Sequence, residues 1–225
     1  MIRRGVIQTT LYLIVLAAIL FAAAGAWDWP QAWVFLVEAG AFSFGFVAWL
    51  AHQDPALLEA RLSSPYHRNQ SVWDRIFLTC AAAGYIAWLV LVALDARRFR
   101  WSVVPIWTQV LGALLIALCM VGVGFVFRAN SFAAPQVRLQ AERGQAVATT
   151  GPYRFVRHPM YALAILYFLG APLLLGSWWA LLPVPLFVVG FAGRAIGEEH
   201  MLRQALPGYD AYADKVRSRL IPGIW

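Results

Sequence analysis

Residues 1–27 read MIRRGVIQTTLYLIVLAAILFAAAGAW. Two arginines ahead of an apolar middle resemble a secretory signal, so the fold turns on whether this segment is removed or kept. A signal's apolar core is about 7–15 residues, whereas about 20 are needed to cross about 30 Å of hydrocarbon. Here the apolar stretch runs over 6–26, and a second begins at Ala32. The segment is therefore read as a retained first transmembrane helix, and the chain as polytopic.

Three more runs of spanning length lie outward from it, over 32–51, 76–94 and 106–127. Two shorter apolar runs, 160–175 and 178–195, carry Pro172, Pro183 and Pro185 and are joined through Gly176-Ser177, which predicts a tight, kinked or tilted helical hairpin. In lipid every backbone polar group must be satisfied within the segment, and nothing here alternates with a strand's period of two. The expected fold is all-α: a polytopic membrane helix bundle of about five to six transmembrane helices. One domain, 1–225, is the simplest partition, with N-terminal spans over 1–127 and the polar capacity weighted to 128–225. A hydrophobic share of 61% and a mean hydropathy of +0.65 exclude an ordinary soluble domain, whose apolar share is about 45–50%.

The net charge of +7 does not point to nucleic acid, because the basic residues are scattered among loops that flank apolar spans. If both termini and the loops 52–75 and 128–159 share a side, that side holds 15 of the 18 lysines and arginines, Arg68 and Arg138 among them. Arg97, Arg98 and Arg100 remain opposite. The positive-inside rule then makes the rich side cytoplasmic, with anionic lipid headgroups as its partners, and an inner cell membrane is the expected location. All four histidines, His52, His67, His158 and His200, fall on that side without a metal-ligand spacing, so no metal is expected. Cys80 and Cys119 lie inside predicted spans and read as small buried apolar residues. The stretch HQDPALLEARL, 52–62, predicts a short helix capped near Asp54 with Pro55 first. Gly122 and Gly124 follow no strand, so they read as a close helix contact and not as a dinucleotide loop.

The chemistry concentrates in GPYRFVRHPMYA, 151–162. Proline suits the first position of a helix and pushes its predecessor toward extended backbone, so a helix should start at Pro159 with Arg157, His158 and Tyr161 gathered around its free amides. A second cluster, GRAIGEEHMLRQALPGYDAYADKV, 193–216, places Arg194 and Glu198 four apart with Glu199 adjacent. Ionisable groups at a membrane helix end, on the same side as another charged cluster, are a functional signal. Tyr209 and Tyr212, three apart, suit one face of a short interfacial helix.

Taken in order, QAVATTGPYRFVRHPMYA, an apolar hairpin and RAIGEEHMLRQALPGYDAYADKVRSRLIP resemble the isoprenylcysteine carboxyl methyltransferase family and the related phospholipid methyltransferases over about residues 128–222. The resemblance implies a multi-span enzyme that binds S-adenosylmethionine at its cytosolic face and admits a lipid-like acceptor from the bilayer. By position it implies cofactor contacts at Gln140, Gln145, Ala146, Val147, Ala148, Tyr153, His158, Pro159, Met160, Tyr161 and Glu198, and an acceptor contact at Arg194. This chain departs from the family where Leu163 replaces a frequent glycine and Gln145 a frequent histidine.

The residue chemistry is compatible with that implication. Arg157 and His158 at a helix start suit a carboxylate, Glu198 or Glu199 suits ribose hydroxyls or an amino group, and tyrosine faces suit adenine or a sulfonium. Arg157, Arg194 and Glu199 are read as the catalytic set. A carboxylate acceptor needs no base and is favoured, with Arg194 orienting it; an amine or thiol acceptor would need Glu199 or His158 to take its proton. Two other classes stay open at this point: a non-enzymatic lipid-binding or assembly protein, and a membrane reductase using NADPH.

Overall fold

The computed structural model describes residues 1–64, 66, 70, 72–135, 140 and 143–225. His67, Arg68 and Arg138, counted in the charge argument, lie outside the described residues. Among the described residues eight α-helices follow in order: α1 Ile2–Ala24, α2 Pro30–Gln53, α3 Pro55–Leu62, α4 Val72–Ala93, α5 Ile106–Ala129, α6 Pro159–Leu175, α7 Val184–Ala205 and α8 Tyr209–Lys215. The described residues contain no strand, as the all-α reading expects.

Among the described residues five stretches are long and apolar enough to cross a membrane: Ile2–Ala24, Pro30–Gln53, Val72–Phe99, Ile106–Ala129 and Trp179–Ala205. The chain is a multi-pass membrane protein. At 17 residues α6 is the shorter apolar helix, long enough for about 26 Å at about 1.5 Å per residue. Residues such as Ile14, Val37, Leu114 and Leu186 are exposed on these helices, a pattern that suits lipid and not water.

Punctuation residues set the boundaries. Proline occupies the first turn of α2, α3, α6 and α7, where the missing amide hydrogen costs nothing. Asp54 caps α3 through its Oδ1, which accepts from the Leu57 amide at 2.9 Å. At the end of α6 the turn is made by Gly176 with φ 92°, and its amide returns to the Pro172 carbonyl at 2.9 Å.

Interhelical bonds show which loops share an end. At one end Arg4 reaches the Leu62 carbonyl, Arg61 the Ala133 carbonyl and Arg194 the Pro135 carbonyl. At the other, Arg97 pairs with Asp28, and the fully buried Asp95 accepts from Ser177 at 2.6 Å and Ser102 at 2.7 Å. The largest apolar cluster lies toward this second end, where Trp88 donates its indole N–H to the Ala180 carbonyl at 2.7 Å amid Phe35, Leu89 and Phe168.

The expected close hairpin of 160–175 with 178–195 gives way to another pairing, for α6 packs most extensively on α5. Lipid supplies no hydrophobic drive between helices, so close backbone approach through small residues decides. A methyl on Gly112 would stand 2.3 Å from the Leu174 amide nitrogen and 2.6 Å from the Gly170 carbonyl. One on Gly122 would stand 2.4 Å from Leu163. The unusual Leu163 thus sits in the notch that Gly122 leaves.

Candidate active site

The site grows from the start of α6. As expected the helix begins at Pro159; His158 before it, at φ −122° and ψ 65°, is neither helical nor fully extended and makes no side-chain cap on the helix. The Arg157 and His158 amides donate to the Ser218 and Arg219 carbonyls at 3.0 and 2.9 Å, so the C-terminal segment is strapped beside the motif. This alignment brings a third cation to the twin acids of α7.

Glu199, only 3% exposed, is the hub. It accepts from Arg157 Nε at 2.7 Å and Arg219 Nε at 3.1 Å, and it lies 3.2 Å from His158 Nε2. Arg157 spends its remaining fork on the same carboxylate and on the Ala213 and Val216 carbonyls, which ties α8 and the chain after it to α6. Glu198 faces the other way: its Oε2 accepts the Tyr161 hydroxyl at 2.8 Å and stands 3.6 Å from His158 Nδ1. Burial alone would lower the pKa of His158, but the two carboxylates raise it above its ordinary value. The two carboxylates thereby favour the imidazolium form.

Glu198 lines a cavity of about 330 Å³ with His158, Tyr161, Tyr153, Tyr209 and Arg194. Of the other positions singled out in the sequence, Gln145, Val147, Ala148, Arg157, Pro159 and Met160 also line it. Three do not. Gln140 is buried behind the wall, where its amide donates to Gln145 Oε1 at 2.7 Å and its side chain to the Phe132 carbonyl at 2.9 Å. Ala146 is outside the lining, and Glu199 lies beneath it.

Arg194 and Glu198 are not the intrahelical pair that their spacing allows. Arg194 reaches across to Asp74 of α4 at 2.9 Å and to the Pro135 carbonyl at 2.6 Å, with its guanidinium carbon 4.9 Å from the centroid of the Phe77 ring. Among the described residues its Nε is buried without a partner, as is the hydroxyl of Tyr209. Tyr209 and Tyr212 are buried, not interfacial: α8 turns both into the cavity wall, where the Tyr212 hydroxyl donates to the Tyr153 carbonyl at 2.8 Å.

Sequence reasoning missed Asp74, Arg219, Asn130 and Arg61. Asp74 carried a legible signal, an acid at the mouth of an apolar span. Asn130 holds the Tyr153 hydroxyl at 2.8 Å, and Arg61 lines the cavity while lying 4.5 Å from the centroid of Phe127. Nothing in their local patterns distinguishes them from an ordinary helix end and an ordinary charge flanking an apolar span.

Residues 107–207 match the phospholipid methyltransferase family. The matched stretch starts one residue into α5, includes the arginine–histidine–proline start and the twin acids, and stops before α8. It therefore begins earlier and ends earlier than the 128–222 span of the motif reading. Over this stretch the likeness implied by the motif is found, and it supports a membrane methyltransferase in general terms. No curated protein matches the chain.

Proposed function

We propose, from the phospholipid-methyltransferase likeness of α5–α7, that this is an integral membrane methyltransferase using S-adenosylmethionine. Its acceptor is an amphipathic, lipid-like molecule arriving from the bilayer, with a carboxylate oxygen as the favoured nucleophile. The site faces the cytoplasm, by the arginine and lysine distribution.

The observation that carries the proposal is the convergence on one cavity of Glu198, His158 and an arginine with a donor that has no partner among the described residues. The residues fit the cofactor. The volume lies within the range of about 300–1,000 Å³ usual for small-molecule sites, and the buried, unpartnered Tyr209 hydroxyl is a polar group at the wall that calls for a ligand partner. Glu198 suits the amino group or ribose hydroxyls, and the tyrosine faces suit adenine and the sulfonium. Because Arg157 is spent on Glu199 and backbone carbonyls, the carboxylate falls to His158 and the uncapped start of α6. When bound, the cofactor supplies an electrophilic methyl group.

The lining bears on the acceptor. Glu199 is engaged by Arg157, Arg219 and His158, and the two carboxylates raise the pKa of His158, which favours its protonated form, so neither is well placed to take a proton. Burial raises the pKa of Tyr153 and Tyr209 and pushes that of Tyr212 up to about 12. A carboxylate acceptor needs no base, and Arg194 Nε can orient it by a charge-assisted bond. Methyl transfer then asks mainly for in-line alignment and exclusion of water, for which Met160, Leu202 and Leu206 supply apolar wall.

The test is incubation of purified protein in nanodiscs with methyl-labelled S-adenosylmethionine and a mixed lipid extract, followed by mass analysis of labelled species. Saturable binding, a labelled amphiphile and loss of both in Glu198→Ala support the proposal. Absence of cofactor binding together with a silent Glu198→Ala overturns it. Thermal protection by NADPH without protection by S-adenosylmethionine would favour the reductase reading instead.

A further inference from the structure

One cation near the site is left unused by this chemistry. Arg128, in the last turn of α5, is exposed and has no hydrogen-bond or ion-pair partner among the described residues. It stands at the middle of a trough between α2 and α5. On one side of it, Phe42, Gly45 and Trp49 of α2 face Val121, Gly124 and Arg128 of α5 across an apolar groove of about 320 Å³. On the other, Trp49 and Arg128 also wall a polar hollow of about 310 Å³ with Gln53, Asp54 and Ser131. Neither part shares a lining residue with the cavity that holds Glu198.

The sequence builds the groove by omission. Spacings of three and four put Val121, Gly124 and Arg128 on one stripe of α5, and Phe42, Gly45 and Trp49 fall on one stripe of α2. At Gly45 an added Cβ would meet nothing within 4 Å, and at Gly124 only the Phe46 ring, at 3.5 Å. Unlike Gly112, these glycines do not seat another helix; they leave a depression open to the bilayer. An apolar groove in the span, a tryptophan at its rim and an unpaired arginine where the polar hollow begins repeat, in order, the chain, interface and phosphate of a lipid.

We propose that the α2/α5 trough is a phospholipid-binding site separate from the methyl-transfer cavity. One acyl chain lies along Gly45 and Gly124, the phosphate pairs with Arg128, and the rest of the headgroup reaches the end formed by Gln53, Asp54 and Ser131. Asp54 has one carboxylate oxygen committed to the α3 cap, so Arg128 is the group that selects for phosphate.

The test uses the full chain in nanodiscs doped with a phospholipid carrying a photoreactive acyl chain, against a diacylglycerol with the same chain, with crosslinked peptides mapped by mass spectrometry. Two variants accompany it: Gly45→Trp, which fills the groove from a position where a side chain meets open space, and Arg128→Ala, which removes the cation. In the native chain the phospholipid is expected to label α2 and α5 peptides well above diacylglycerol. Gly45→Trp should abolish labelling by both lipids, and Arg128→Ala should lower phospholipid labelling about tenfold while leaving diacylglycerol labelling unchanged. Equal labelling by the two lipids in the native chain, labelling of Gly45→Trp at the native level, or crosslinks joining two copies of the chain through this face would each overturn the proposal.

Discussion

Replacing Glu199 by glutamine should unfold the region around the site, while the same change at Glu198 should disable the site and leave it folded. Glu199 is 3% exposed and balances Arg157 at 2.7 Å, Arg219 at 3.1 Å and His158 at 3.2 Å. Removing one partner from a buried ion pair costs about 3–5 kcal/mol, and the glutamine carbonyl recovers about 1 kcal/mol through one retained hydrogen bond. A net loss of about 3 kcal/mol lowers Tm by about 6–12 °C in a chain of this length. The Glu198 side chain is 27% exposed, and its bond from the Tyr161 hydroxyl survives amidation. Its substitution should cost about 1 kcal/mol or less and weaken S-adenosylmethionine binding tenfold or more, by about the worth of a charged hydrogen bond. Thermal unfolding followed by tryptophan fluorescence and calorimetric titration with the cofactor, both in nanodiscs, separate the two. The reasoning is refuted if Glu199→Gln melts within about 2 °C of the native chain, or if Glu198→Gln melts as low as Glu199→Gln.

Three further outcomes can be checked. Gly112→Ala drives a methyl against backbone that cannot yield, whereas Gly122→Ala meets only the Leu163 side chain. Both should cost about 1–3 kcal/mol, but adding Leu163→Ala should rescue only Gly122→Ala in a double-mutant cycle read by thermal unfolding. Asp74→Asn removes the counter-charge that aims Arg194, so it should raise KM for the acceptor more than it lowers kcat in steady-state methylation assays. The pKa of His158 is raised in the folded protein above the ordinary 6.5. Its contribution to stability is therefore complete below about pH 6.5 and is lost as the pH rises through the folded-state value. Unfolding measurements from about pH 6 to pH 9 should show that decline in the native chain and a flatter profile in His158→Gln.

The sequence alone determined the membrane class, the helical fold and the start of α6 at Pro159. These follow from local rules: run length against bilayer thickness, proline's missing amide hydrogen, and the i, i+4 reach of a helix. They hold whatever the helices pack against. Only the tertiary structure decided which acid does what. Glu198 and Glu199 are neighbours in sequence, yet one turn of α7 aims the first into the cavity and buries the second among Arg157, His158 and Arg219. The same holds for Arg194, whose partner is Asp74, 120 positions away, and not the residue one turn along. It holds again for α6, which mates with α5 because Gly112 and Gly170 admit backbone contact there. Such partners lie far apart in the chain and are selected by the geometry of packing, in which a charge removed from water must find its counter-charge wherever the fold has put it.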